Sequence, residues 1–71
     1  MLIQTEVGRA EVVAKRVAAL PGVLSSEYVT GPYDVVARIG SQTLVDLHET
    51  VVVGVQAIDG ITRTLTCPIA V

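Results

Sequence analysis

From Arg9 to Leu20 the apolar residues Ala10, Val13, Val17 and Leu20 recur at steps of three and four, which lines one face of an α-helix. Glu11 and Lys15 add an oppositely charged pair, four apart, on the outer face. Pro21-Gly22 stops this helix. Before it, "MLIQTEV" reads as a short strand and Gly8 begins a turn; after it, "GVLSSEYVT" reads as a second strand. "YDVVARIG" is the third strand, joined to the second through a turn at Gly31-Pro32.

Further along, residue preference and pattern disagree. Thr50 to Val53 and Val55 are mostly β-branched, which favours a strand. Leu44, Leu47, Val51, Val55 and Ile58 nevertheless form an apolar stripe at helical spacing, over a span longer than an ordinary strand. The stripe predicts a helix, with Ser41 as its N-cap and Gly54 tolerated at about 1 kcal/mol relative to Ala. Gly60 ends it, and "ITRTLTCP" is the fourth strand.

An internal repeat supports this order. "VAALPGVLSS" (Val17 to Ser26) aligns with "VQAIDGITRT" (Val55 to Thr64) at a constant offset of 38 residues, matching Leu20 with Ile58 and Gly22 with Gly60. In each copy a helix ends, a glycine follows and a β-branched strand begins. The order β-α-β-β-α-β predicts a ferredoxin-like α+β fold: one antiparallel sheet with two helices on one face. In strand three Val35, Ala37 and Ile39 point one way and Val36 the other, so the face without helices also needs a cover. A partner's sheet is the simplest one.

Composition points the same way. The 71 residues are 51% hydrophobic and 17% charged, against roughly 25% charged in an ordinary globular domain. A chain of this length forms one domain, expected over residues 1–71, and buries only about 60% of the surface its unfolded form exposes. Some apolar material must therefore remain outside, which predicts an obligate oligomer. Five Lys and Arg against seven Asp and Glu argue against a nucleic-acid partner. The lone Cys67 excludes an internal disulfide and fits a reducing cytoplasm. No signal peptide and no run of about 18 apolar residues occurs, so a cytoplasmic, membrane-free protein is expected.

Asp34, directly after the Gly31-Pro32 turn, is the most informative polar residue and admits two readings. It folds onto nearby backbone amides, as turn aspartates do. Alternatively it recognises a small cation such as an α-ammonium, beside backbone that Gly31 leaves open to a ligand. Thr62, Thr64 and Thr66 alternate along strand four, so their hydroxyls share a face, through β-propensity alone or as binding groups. His48 has no second histidine or cysteine to make a metal site. Cys67 has no positioned base, and Arg63 fits an exposed or interfacial ion pair. No catalytic set, metal site or cofactor motif is predicted.

Taken in order, "LPGV", "VTGPYDVV" and "IDGITRTLTCP" resemble the effector-binding and assembly (RAM) domain of the Lrp/AsnC feast/famine transcriptional regulators, over Met1 to Pro68. The resemblance implies a dimer formed sheet to sheet, a dimeric α+β barrel, whose dimers assemble into rings, commonly octamers. It implies amino-acid effectors bound between dimers, at a loop falling here on Thr30, Gly31, Tyr33 and Asp34, with Thr64 and Thr66 of strand four as further groups. The family's regulators carry a helix-turn-helix that this sequence does not show, so it resembles the stand-alone form, with no direct DNA contact.

Three functions are thus expected in turn. The first is a non-enzymatic amino-acid-binding oligomerisation module related to regulators of amino-acid metabolism. The second is a structural partner that co-assembles with full-length Lrp/AsnC homologues without a ligand of its own. The third is a small dimeric α+β-barrel enzyme, for which His48 is the one obvious base.

Overall fold

The structure is a computed structural model that describes residues 1–69; residues 70 and 71, the end of the domain expected from the sequence, lie outside the described residues. Strands β1 (Leu2–Thr5), β2 (Val23–Tyr28), β3 (Val35–Ile39) and β4 (Ile61–Leu65) form one sheet in the order β2-β3-β1-β4, every neighbouring pair antiparallel. Helix α1 (Ala10–Ala18) follows β1, and a second helical stretch lies between β3 and β4. This is the ferredoxin-like arrangement that the periodicities predict.

The expected helix over Arg9 to Leu20 is trimmed at both ends. Arg9 is its N-cap and Ala19 its C-cap. Val13 and Val17, from the predicted stripe, are fully buried against Ile3 and Val35 of the sheet. Burying a side chain of this size contributes about 1.5–3 kcal/mol relative to exposure, so these few contacts carry much of the stability of so small a fold. The Lys15–Glu11 pair forms at 3.5 Å on the exposed outer face, where it adds little.

The second helical stretch departs from expectation in two ways. Thr43, not Ser41, is the N-cap: its Oγ1 accepts from the Asp46 N–H at 3.0 Å, while Ser41 Oγ donates to the Thr43 carbonyl at 2.7 Å. With the helix starting late, Leu44 falls at its first position and is 67% exposed, so the buried stripe begins at Leu47. The stretch is also not a plain α-helix. Short α-helical segments α2 (Leu44–Asp46) and α3 (Val53–Gln56) flank a π-helical segment, Leu47–Val52, in which the Val53 N–H donates to the carbonyl of His48, five residues back. Across it Val51 and Val55 are buried, and Leu47 packs half-buried against the same core.

The repeat seen in the sequence is a repeat of hydrogen bonds. Ala19 and Leu20 donate to the carbonyls of Arg16 and Val17, and Ala57 and Ile58 donate to those of Gly54 and Val55, the same pattern at the same offset. Both copies then turn through a glycine in the left-handed region, Gly22 at φ +87° and Gly60 at φ +95°.

Register sorts the strand residues onto two faces. Opposed partners share a face, so Ile3, Val35, Ala37, Ser26 and Thr64 lie on the helix side. The other face carries a lane of Leu65, Leu2, Val36 and Glu27, with Arg63–Gln4 on one side of it and Arg38–Ser25 on the other. No helix covers this face.

The two turn glycines set a stability test. A Cβ on Gly60 would stand 3.1 Å from Arg9 Nε and 3.3 Å from Arg9 Cβ, and one on Gly22 would stand 3.2 Å from the Gly40 carbonyl oxygen. Gly22→Ala and Gly60→Ala are each expected to lose about 2 kcal/mol of unfolding free energy in urea, from left-handed strain plus the contact. Gly54→Ala, in a helix and facing only the movable end of Leu20, should lose at least about 1 kcal/mol less. Equal losses at the three positions would show that the turns do not depend on glycine.

Candidate functional site

The hairpin between β2 and β3 is closed by the Val29 N–H, which donates to the Asp34 carbonyl at 2.8 Å. Val29, Thr30, Gly31 and Pro32 are exposed, whereas Tyr33 and Asp34 are half-buried. The loop is tied to the sheet by Gln4, whose Nε2 donates to the Pro32 carbonyl at 2.9 Å. Nothing stands within 4 Å of the position a Cβ on Gly31 would take, so the backbone there is open to a ligand.

Asp34 does what the first of its two sequence readings requires. Its Oδ2 accepts from the Thr5 N–H at 2.8 Å, and its own N–H donates to the Ile3 carbonyl at 2.9 Å. Thr5 is the last residue of β1, and the ladder between β1 and β4 shifts register between Gln4 and Thr5. β3 begins only at Val35, so the Asp34 carboxylate takes the Thr5 N–H where a strand carbonyl would otherwise stand. A side-chain oxygen thus satisfies a backbone donor that burial would penalise if left unpaired. Only Oδ2 is used in this way, so the geometry leaves the second reading open.

Of the remaining candidates, Thr30, Gly31 and Tyr33 stand with Asp34 in one turn. Thr64 sits opposite Ile3 on the helix side, half-buried, on the far side of β1 from the turn. Thr66 is exposed beyond the last residue of β4, at the other end of the sheet, beside Met1. Within one chain the structure therefore gathers the loop residues but not the threonines. His48 lies exposed in the π-helical segment and Cys67 is exposed. Among the described residues no three His, Cys, Asp or Glu come together in a way that could hold a metal ion.

One feature was not anticipated from the sequence. At the Met1 end of the sheet a groove of about 690 Å³ lies between β3 and the chain that follows β4. Pairing of β1 with β3 stops where the Met1 ammonium donates to the Ala37 carbonyl at 2.7 Å and the Ala37 N–H donates back at 2.9 Å. β3 runs on to Ile39 without a β1 neighbour, and residues 66–69 run on past β4. Leu24 is the extra residue in the bulge that separates Val23↔Ile39 from Ser25↔Arg38, and the bulge turns it over Gly40 into the groove. Arg38, a charge at an alternate position of an otherwise apolar strand, was the available sequence signal.

The Asp34–Thr5 bond makes a direct prediction. Asp34→Ala removes the acceptor and is expected to cost about 1–2 kcal/mol, toward the low end for a charge-assisted bond because the site is half-exposed. Asp34→Asn keeps a carbonyl oxygen facing Thr5 and should retain most of that stability. Chemical denaturation of both variants, with Thr5 amide exchange as the local readout, decides it; equal losses would mean that the bond contributes nothing specific.

The fold is shared with a known protein. The crystal structure of TTHA0845 from Thermus thermophilus is similar, with a TM-score of 0.79 and 32% sequence identity, covering 87% of this chain and 78% of that one. No curated protein matches. The family model described as the Lrp/AsnC ligand binding domain matches residues 1–70. With that match running along almost the entire sequence, the chain belongs to the Lrp/AsnC ligand binding domain family.

Proposed function

We propose that this chain is a non-enzymatic module that binds a small amino-acid effector at the turn of Thr30, Gly31, Tyr33 and Asp34 and works as a homo-oligomer in the regulation of amino-acid metabolism. The observation that carries the reading is the state of Asp34. Its Oδ2 is fixed by Thr5, so the carboxylate is held in place at an exposed turn. The other oxygen then faces an α-ammonium without first having to order the side chain. Open backbone at Gly31 lies beside it.

The uncovered sheet face supports the oligomer. Leu65, Leu2 and Val36 form its apolar lane, and the charged residues around them are Arg38 and Arg63 with Glu27. Among the described residues the one ion pair is Lys15–Glu11, so these three have no ion-pair partner among them. A second sheet packed face to face buries the apolar lane and brings opposite charges together, which a lone copy does not do. Association of such dimers into a larger ring, an octamer in the form the family suggests, would bring Thr64 and Thr66 of one copy toward the turn of another.

A second reading is favoured by the outer side of the second helical stretch, where Val45 and Val53 are more than half exposed. On it, the chain co-assembles with full-length Lrp/AsnC homologues through this surface and needs no ligand. Among the described residues no helix is long and apolar enough to cross a membrane.

Thermal unfolding against the twenty amino acids tests the main reading. A true effector at tenfold excess over its Kd is expected to raise Tm by several degrees. Asp34→Asn, which keeps the Thr5 bond but loses the charge, should abolish that shift. A flat panel on a well-formed oligomer, or a shift that survives in Asp34→Asn, would reject the turn as the effector site. Separately, Val36→Glu places an unpaired charge in the apolar lane and is expected to halve the mass measured in solution. An unchanged mass would move the dimer contact away from this face.

A further inference from the structure

The chain has three aspartates and no asparagine, the residue types whose side-chain carbonyl the next backbone nitrogen can reach to close a succinimide ring. Closure needs a small following residue and a backbone N–H not already spent on a hydrogen bond. Asp34 precedes Val35, which is β-branched and fully buried in β3. Asp46 precedes Leu47, whose N–H donates to the Thr43 carbonyl at 3.0 Å. Asp59 precedes Gly60. Among the described residues neither the Gly60 N–H nor the Asp59 side chain makes a hydrogen bond.

The surroundings favour the reaction. Asp59 is exposed in the turn between α3 and β4, and Gly60 offers no side chain to hinder its nitrogen. Arg9 Nε, buried and without a hydrogen-bond partner, stands 3.1 Å from the position a Cβ on Gly60 would take. A positive charge beside Gly60 favours loss of the amide proton. The first copy of the repeat makes the same left-handed turn, at Gly22, but has Pro21 in place of Asp59 and so carries no carboxyl there.

We propose that Asp59-Gly60 is a site of spontaneous covalent modification, whose isoaspartyl product loosens the Thr5 end of β1. In the first step the Gly60 nitrogen bonds to Asp59 Cγ. The carboxyl, in its protonated form, loses its hydroxyl, which departs with the amide proton as water. In the second step a water adds to one ring carbonyl and reopens the succinimide. Opening at Cγ restores aspartate, whereas opening at the Asp59 backbone carbonyl routes the chain through Cβ and Cγ and frees the α-carboxylate. Nothing is oxidised or reduced, and the product has the composition of the parent.

The product's backbone is longer by the Cβ atom, and the turn has little slack. On one side the Ile58 N–H donates to the Val55 carbonyl at 3.0 Å; on the other the Gly60 carbonyl accepts from the Glu6 N–H at 2.7 Å. Asp59 alone stands between these anchors to absorb the added atom. Ile61, next along, pairs with Thr5, whose N–H the Asp34 carboxylate holds. The strain therefore reaches the Asp34–Thr5 bond, whether or not the turn beyond it binds an effector.

Ageing the full chain at physiological temperature and neutral pH tests this. Peptide mass spectrometry follows Asp59, and methyl-ester formation by a protein-isoaspartate methyltransferase counts the freed α-carboxylates. A species lighter by one water, then a product of unchanged mass and altered retention, is expected at Asp59 and not at Asp34 or Asp46. The folded chain should react no more than about tenfold slower than the same chain in urea, since the folded turn leaves both reacting groups free. Asp59→Glu, which would need a less favourable ring, and Asp59→Pro, which installs the residue of the first copy, should each lower the total by about tenfold or more. In the separated isoaspartyl chain the Thr5 and Glu6 amides should exchange at least about tenfold faster than in the parent. Stronger protection by the fold overturns the proposal, as does an Asp59→Glu chain that accumulates as much isoaspartate as the parent. Unchanged exchange at Thr5 and Glu6 overturns it equally, because the modification would then not touch β1.

Discussion

β1, one of the two inner strands, is the shortest in the sheet. β1 has four residues and must serve β3 on one side and β4 on the other, each of which has five. Backbone donors and acceptors inside a sheet have to be paired, so wherever β1 stops, something else must take its place or the lane stays open. At the Thr5 end the replacement is a side chain, the carboxylate of Asp34. At the Met1 end the Met1 ammonium donates to the Ala37 carbonyl, and β3 runs on to Ile39. The turn proposed as the effector site thus lies at one end of this strand.

The same strand anchors the core. Ile3 is fully buried, and its neighbours Val35 and Thr64 fix β3 and β4 on either side of it. Val13 and Val17 of α1, with Val51 and Val55 of the second helical stretch, close over that line. Eight buried hydrophobic residues among those described are a thin interior for a chain that is half hydrophobic, which is why Leu65, Leu24, Val45 and Val53 remain outside. A fold with so little interior leaves much apolar surface in water. In this sense the uncovered face and the thin core are one fact.

Much of the architecture was legible because it is periodic. Val13 and Val17 announce α1, the alternation of Val35, Val36 and Ala37 announces a two-faced strand, and Gly22 and Gly60 mark matching turns at a fixed offset. What was not legible depends on contacts between distant residues. Ser41 and Thr43 are both hydroxyl residues near a helix start, and only the path from β3 into the helix decides that Thr43 caps it. The π-helical segment was hidden, because the apolar steps from Leu47 to Val55 suit an ordinary α-helix equally well. The bond from Asp34 to Thr5 joins residues 29 apart, so the sequence could pose the question of Asp34 but not answer it. The groove was least visible of all, because its lining is gathered from four separate segments of the chain.

Asp34 shows why a structural role and a recognition role need not compete. A carboxylate on a loop ordinarily loses side-chain entropy when it grips a ligand, and that loss weakens binding. Here the bond to Thr5 has already imposed the order as part of folding. On the proposed reading, the residue that terminates β1 is also the one that receives the effector's cationic group at the turn. Thr66 lacks any such restraint: it is exposed, past the end of β4, with no hydrogen bond from its side chain among those of the described residues. If both residues serve one effector, Thr66 must come from another copy and be ordered by the assembly itself. Ligand binding and oligomerisation would then be coupled through the same free energy, each favouring the other.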